Sequence, residues 1–178
     1  MALTHLGVVS RPQSQYAQAL AYHEQALAIA REVGNRAGEG MILTNTGAAF
    51  QALSQYRQAI ASYEQALTIL REVGNRAGES VTLANLGGAY RLLSQYSQAI
   101  VHCEQALEIA REIGARTTEG IVLGNLGMAH IGLSQHHQAI ASYEQALTLW
   151  REIGGDRAQE GTMLSNMGTV YHTLSQYH

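Results

Sequence analysis

The sequence predicts an all-α solenoid, a stack of antiparallel helix pairs, and three observations carry that reading. A block with the pattern S-Q-x-x-Q-A-x-x-x-x-E-Q-A-L-x-x-x-R-E-x-G starts at Ser14, Ser54, Ser94 and Ser134, and its opening, SQYH, recurs at Ser175. The starts lie 40, 40, 40 and 41 residues apart, the extra residue entering at Gly154-Gly155-Asp156. Within each block the apolar residues recur at steps of three and four, which is the period of one helix face. Self-similarity at such a period means stacked units that bury their faces against one another instead of building one globular core.

The whole chain, residues 1–178, reads as one array with units at about 1–34, 35–74, 75–114, 115–155 and a half unit at 156–178. Each unit has a helix A and then a helix B, giving five A and four B helices. Met1 corresponds to Met41, so the chain starts within a helix A, and Pro12, standing where Ala52 stands later, should close that helix early. Helix B is the repeated block. In the second copy its stripe is Tyr56, Ala59, Ile60, Tyr63, Ala66, Leu67, Leu70 and Val73, with Ser54 expected as N-cap. Gly34, Gly74, Gly114 and Gly154 stand where a left-handed residue would end helix B.

Helix A fills the stretches between blocks, as with Leu83, Leu86, Tyr90 and Leu93 in the third copy. Asn35, Asn75 and Asp156 are the expected N-caps, and Ala115 makes the weakest start. Gly47, Gly87, Gly127 and Gly168 fall inside helix A, where each costs about 1 kcal/mol relative to alanine. Such a recurrent cost implies a neighbouring helix at close range, with Ala59 and Ala66 as the expected partners. The last helix A has no helix B after it, so Leu164, Met167, Tyr171 and Leu174 should leave apolar surface exposed. Terminal repeats usually carry a polar cap. Its absence points to an excerpt of a longer array or to self-association through that end.

Composition narrows the function. Among 178 residues the net charge is −3, which gives no electrostatic footprint for nucleic acid or an anionic membrane. All 11 basic residues are arginine, so lysine chemistry, including Schiff bases and phosphate-loop lysines, is excluded. The single cysteine, Cys103, has no internal disulfide partner. No apolar run is long enough to span a bilayer and the N-terminus has no signal-peptide layout, which leaves a cytoplasmic protein as the expectation.

One constellation runs through the units: Gly47, Phe50, Ala59, Tyr63 and Ala66, then Gly87, Tyr90, Ala99, Cys103 and Ala106, then Gly127, His130, Ala139, Tyr143 and Ala146, then Gly168 and Tyr171. The first unit, with Gly7, Ser10, Ala19, His23 and Ala26, departs most. This resembles the tetratricopeptide repeat. The 40-residue period with Asn85-Leu86-Gly87 and Asn125-Leu126-Gly127 is similar to its long variety, found in kinesin light chains, Leu-Gly-Asn-type polarity adaptors and many bacterial regulators. Leucine at Leu43, Leu83, Leu123 and Leu164 replaces the family tryptophan, and arginine its late proline, as is usual in the long variety. The resemblance implies a right-handed superhelix with A helices on the concave wall. It also implies a non-enzymatic scaffold that binds a peptide or partner protein and uses no cofactor.

The candidate site is an asparagine ladder, Asn45, Asn85, Asn125 and Asn166, with His5 at the matching place in the first unit. Asparagine is a poor helix-interior residue, so its recurrence requires a reason. A primary amide donates and accepts at once, which suits the backbone of an extended peptide. The alternative is that these amides only bond between neighbouring helices. Groove-facing positions around the ladder are expected at Thr44, Ala48 and Gln51, at Ala84, Gly88 and Arg91, at Gly124, Met128 and Ile131, and at Ser165, Thr169 and His172. Gly88 and Gly124 would leave room for ligand side chains, Arg91 would bind a carboxylate, and Met128 with Ile131 would seat an apolar residue.

The remaining signals read as structural. His136-His137 and His102-Cys103 are adjacent pairs, which diverge on a helix and do not chelate, so no metal site is expected. His23 and His130 occupy aromatic slots. The Arg-Glu pairs from Arg31-Glu32 to Arg151-Glu152 and the row Glu24, Glu64, Glu104 and Glu144 form a solvated face, and repetition argues against a catalytic carboxylate. Glu39, Glu79, Glu119 and Glu160 suit the positive end of each helix A. Two further readings are an RNA-reading helical repeat, disfavoured by the acidic charge, and a regulatory arm of a larger enzyme or transcriptional regulator.

Overall fold

A computed structural model of the chain describes residues 11–155 and 157–175. Among the described residues there are eight helices and no strand: α1 (Arg11–Glu32), α2 (Arg36–Ala52), α3 (Tyr56–Glu72), α4 (Arg76–Leu92), α5 (Tyr96–Glu112), α6 (Arg116–Gly132), α7 (His136–Glu152) and α8 (Arg157–Ser175). Odd numbers are B helices and even numbers A helices. Consecutive helices pack side by side along the stack. The N-terminal helix A and the Asp156 cap lie outside the described residues. Pro12 belongs to the first turn of α1, where its missing N–H costs no helical bond.

The turns keep the stack tight. From α3 to α4, the Asn75 N–H donates to the Leu70 carbonyl at 2.9 Å and Gly74 to that of Arg71 at 3.1 Å, with Gly74 at φ 69°. This pair of bonds is the Schellman closure. Asn75 then caps the next helix, its side chain accepting from the Gly78 N–H at 2.9 Å, as Asn35 does from Gly38. Ala115 has no side chain able to do this and makes no such bond.

The turn from A to B differs from expectation. Ser54 is not an N-cap: it adopts φ 59°, with Gln55 donating to Phe50 and Ser54 to Gln51. Ser54, Ser94 and Ser134 therefore hold the same left-handed place as the glycines, and the B helices start one residue after Gln55, Gln95 and Gln135 without a side-chain cap. In the first unit α1 runs through Ser14 unbroken.

The glycines inside helix A are explained by contact. A Cβ on Gly47 would lie 2.5 Å from the Tyr63 ring, and one on Gly127 2.5 Å from the Tyr143 ring. On Gly87 it would meet the Cys103 sulfur at 2.5 Å and the Ala99 carbonyl at 3.1 Å. The aromatic slot of helix B, more than its alanines, is thus the partner that excludes a side chain. Gly168 has nothing within 4 Å of its Cβ position, since no helix B follows α8 among the described residues. On the same helix Leu164 and Tyr171 are exposed, as is Val73 at the end of α3.

A charged ladder ties the units along one rim. Glu39 is only 4% exposed and accepts from Arg31 at 2.8 Å and Arg36 at 2.5 Å, while Arg36 also reaches Glu72 at 2.5 Å. Glu79 repeats this with Arg71 and Arg76, and Arg76 reaches Glu112. Glu119 repeats it with Arg111 and Arg116, and Arg116 reaches Glu152. The set loosens at Glu160, 3.6 Å from Arg151 and 3.5 Å from Arg157. The first carboxylate is therefore a buried hub, not a solvated end charge. The hydrogen bond from Arg31 holds the Glu39 carboxyl below the ordinary carboxylate range, against its burial and with further help from Arg36.

Two outcomes follow from these contacts. Gly127→Ala should destabilise the chain by about 1–3 kcal/mol through overpacking against Tyr143, while Gly168→Ala should stabilise it by up to about 1 kcal/mol; denaturant unfolding of both variants measures the contrast. The Glu39 contribution is complete above the ordinary carboxylate pKa of about 4.3 and is lost as pH falls through its lower folded value. Melting temperature should fall on acidification below about pH 4, and Glu39→Gln should melt lower at neutral pH with a shallower acid decline.

Candidate functional site

Packing identifies the inner wall. The A helices touch their next-but-one neighbours, α2 with α4 and α4 with α6, whereas no pair among the B helices meets to a comparable extent. Helices crowded on one side and spread on the other make a curve, and the A side is its inside. At this seam the Thr44 and Thr82 hydroxyls lie 2.8 Å apart and are buried. Three positions expected in the groove belong to the seam instead. Thr44, Ala84 and Gly124 are buried, and a Cβ on Gly124 would meet the Met163 methyl of α8 at 3.2 Å. Gly124 makes room for a neighbouring helix, not for a ligand. Gly88 is buried as well, though only the Gln51 amide nitrogen lies near its Cβ position, at 3.9 Å.

The ladder asparagines stand one helical step away from that seam. Asn45 is exposed, and Asn85, Asn125 and Asn166 are half-buried. Asn85 and Asn125 sit between buried leucines of their own helices, Leu83 and Leu86 around the first and Leu123 and Leu126 around the second. Among the described residues, the side chains of Asn45, Asn85 and Asn125 make no hydrogen bond, in contrast to Asn35 and Asn75, whose amides are spent as caps. Their donor and acceptor remain available to a molecule in the groove. Among the described residues these three make no bond between neighbouring helices.

Four of the candidate residues converge. Arg91 of α4, Met128 and Ile131 of α6, and Asn166 of α8 line one cavity of about 280 Å³, with Tyr96, Gly132 and Tyr143 completing it. Gln51 lies elsewhere, accepting at 3.3 Å from the Tyr63 hydroxyl. Tyr143 is the equivalent of Tyr63, but Ile131 stands where Gln51 does, so the Tyr143 hydroxyl is buried without a hydrogen-bond partner. Asn166 comes near it without hydrogen-bond geometry. Burial pushes the Tyr143 hydroxyl up to about 12, against smaller pulls from Arg91 and Asn166, so it stays protonated at neutral pH. The Arg91 Nε is also buried and unpartnered, and among the described residues Arg91 enters no ion pair. Sequence reading missed Tyr143, whose slot looked like ordinary packing. The legible signal was the change from Gln51 to Ile131.

Cys103 is buried, and His23, His102 and His130 are partly buried. Burial pushes the Cys103 thiol up to about 12, which removes thiolate chemistry. His102 stacks on Tyr90 with ring centroids 5.2 Å apart, and burial lowers its pKa. His130 pairs with the Gln135 amide at 2.7 Å, and His23 is half-buried. Among the described residues no three metal-ligating side chains come together, and no helix is long and apolar enough to cross a membrane.

Comparison with solved structures places the fold among helical repeat proteins. BtubC (BKLC) from P. vanneervenii superposes with a TM-score of 0.76 at 20% identity, over 92% of this chain and 67% of that one. The Podosopora anserina putative kinesin light chain repeats give 0.72 at 19% identity, over 93% and 83%. Rap complexed with Competence and Sporulation Factor gives 0.78 at 16% identity, over 93% of this chain but only 46% of Rap, so the chain spans about half of that protein. At these identities the likeness concerns the fold. No curated protein matches the chain in sequence. The tetratricopeptide repeat model, by contrast, matches residues 1–72, 55–112, 78–149 and 118–178, so together its matches span the chain. The chain belongs to the tetratricopeptide repeat family.

Proposed function

We propose that the chain is a non-catalytic scaffold that holds an extended peptide, or an extended segment of a partner protein, along the wall of A helices. The observation that carries this reading is the unspent amides of Asn45, Asn85 and Asn125, placed at repeat intervals on the inner side of the curve. Neighbouring A helices pack about 10 Å apart, and an extended peptide rises about 3.3 Å per residue. Each amide then meets the ligand backbone about once in three residues, whatever the ligand side chains are. A complex of the neighbouring Rap protein with Competence and Sporulation Factor is in keeping with this use of the fold.

The reading excludes neither a free adaptor nor the arm of a larger protein, because both would use the same wall. It does require that ligand binding depend on the amides and not on the charged rim. Each backbone hydrogen bond contributes about 1 kcal/mol net. The double variant Asn85→Ala, Asn125→Ala should therefore bind a peptide selected from a display library at least about tenfold more weakly by calorimetry, with its melting temperature unchanged or raised. Unchanged affinity in a folded double variant would remove the proposal. Salt-sensitive binding of single-stranded RNA, with no peptide selected, would favour the RNA-reading alternative.

A further inference from the structure

Two faces of the molecule are complementary, one on α8 and one on α1. Each helix B lies against the helix A of its own unit, as α3 does against α2 and α7 against α6. Among the described residues no helix B follows α8 and no helix A precedes α1. We infer that α1 of a second copy docks on α8, so that chains join head to tail and the array continues from one copy into the next. The contact needs no peptide ligand, because it uses none of the amides of Asn45, Asn85 and Asn125.

Four pairs of positions match when the packing inside one unit is carried over to that junction. Arg36, Arg76 and Arg116 each hold a glutamate of their own unit's helix B, namely Glu72, Glu112 and Glu152. Arg157 has the same place in α8, but among the described residues it pairs with Glu160 alone, at 3.5 Å. Its side chain is 89% exposed, against 47%, 43% and 48% for the other three. Glu32 is the matching glutamate of α1, exposed and without an ion pair among the described residues. The glycines of helix A give the second and third pairs. A Cβ on Gly40 would meet Leu70 at 2.8 Å and Ile69 at 3.4 Å, and one on Gly47 would meet the Tyr63 ring, whereas Gly161 and Gly168 of α8 have nothing within 4 Å. Ile69 and Tyr63 are buried, while their counterparts in α1 are Ile29, which is 59% exposed, and His23, which is half-buried. The fourth pair is aromatic. His102 stacks on Tyr90, and the same two places are taken by Tyr22 of α1 and Tyr171 of α8, both exposed. An exposed apolar row that copies a buried one marks an interaction surface. Charge, space and ring stacking thus agree on a single register. A junction of this kind is heterologous: each added copy presents a new α8 or a new α1, and growth continues.

Sedimentation velocity and light scattering of the 178-residue chain over a concentration series test the junction. The average mass should rise with concentration and pass that of a dimer. Gly168→Leu fills the space that His23 of the second copy takes and meets nothing within its own chain, so it should leave a folded monomer, with helix content checked by circular dichroism. Glu32→Arg should weaken association about fivefold, the scale of an exposed ion pair turned repulsive. Adding Arg157→Glu to that variant should restore the association, which happens only where the two positions meet. A chain that stays monomeric at every concentration would overturn the inference, as would association that survives Gly168→Leu. A dimer that grows no further and ignores Glu32→Arg would overturn it too, by showing α8 paired with its own copy across a two-fold axis. Peptide binding is judged separately by the Asn85→Ala, Asn125→Ala variant, in which head-to-tail growth should persist.

Discussion

The ring of Tyr63 lies where a side chain on Gly47 would be, and the ring of Tyr143 does the same over Gly127. This contact sets the distance between helix A and helix B, and the stack depends on it. With a Cβ present the two helices could not approach, the buried row from Ala59 to Leu70 would lose its partners, and the next helix A would have nothing to dock on. Cys103 shows the tolerance of the arrangement: the smaller side chain brings its sulfur onto Gly87, and His102 covers the other side by stacking on Tyr90. A conserved geometry is thus held by unlike side chains. Burial of these small and aromatic residues, and not any single ion pair, is the dominant favourable term.

Curvature follows from the same contacts and creates the wall. Small residues at Ala84, Gly88 and Gly124 let the A helices come together, while the B helices stay apart on the outside. The buried seam then pushes the neighbouring positions, the asparagines among them, toward the open side. Along the far rim, Glu39, Glu79 and Glu119 take arginines from two helices each and pass the tie to the next unit through Glu72, Glu112 and Glu152. Repetition therefore builds the scaffold, and positions that break repetition, Arg91, Met128, Ile131 and Gly132, gather around one cavity.

Much of the fold was legible because each cue was repeated. Period, apolar spacing, Gly74-type helix ends and the Asn35 and Asn75 caps agree with one another in the sequence. Ser54 was not legible, since serine is a common N-cap and only the hydrogen bonds from Gln55 and Ser54 back to Phe50 and Gln51 reveal its left-handed role. The burial of Glu39 was hidden because its partners lie on two different helices. Side-chain facing along helix A was legible to within one step: Arg91, Met128 and Ile131 do meet, but Thr44, Ala84 and Gly124 turn into the seam, because curvature depends on all the units at once. The unsatisfied Tyr143 hydroxyl needed the coordinates to be noticed, although the exchange of Gln51 for Ile131 was visible from the start.

The claim on which the account turns is that ligand backbone lies against the A-helix wall. A crystal structure of the chain with a library-selected peptide tests it most directly. The account predicts an extended peptide with its backbone hydrogen-bonded to the amides of Asn85 and Asn125. A peptide seated on the outer B helices, with those amides unengaged, would contradict it.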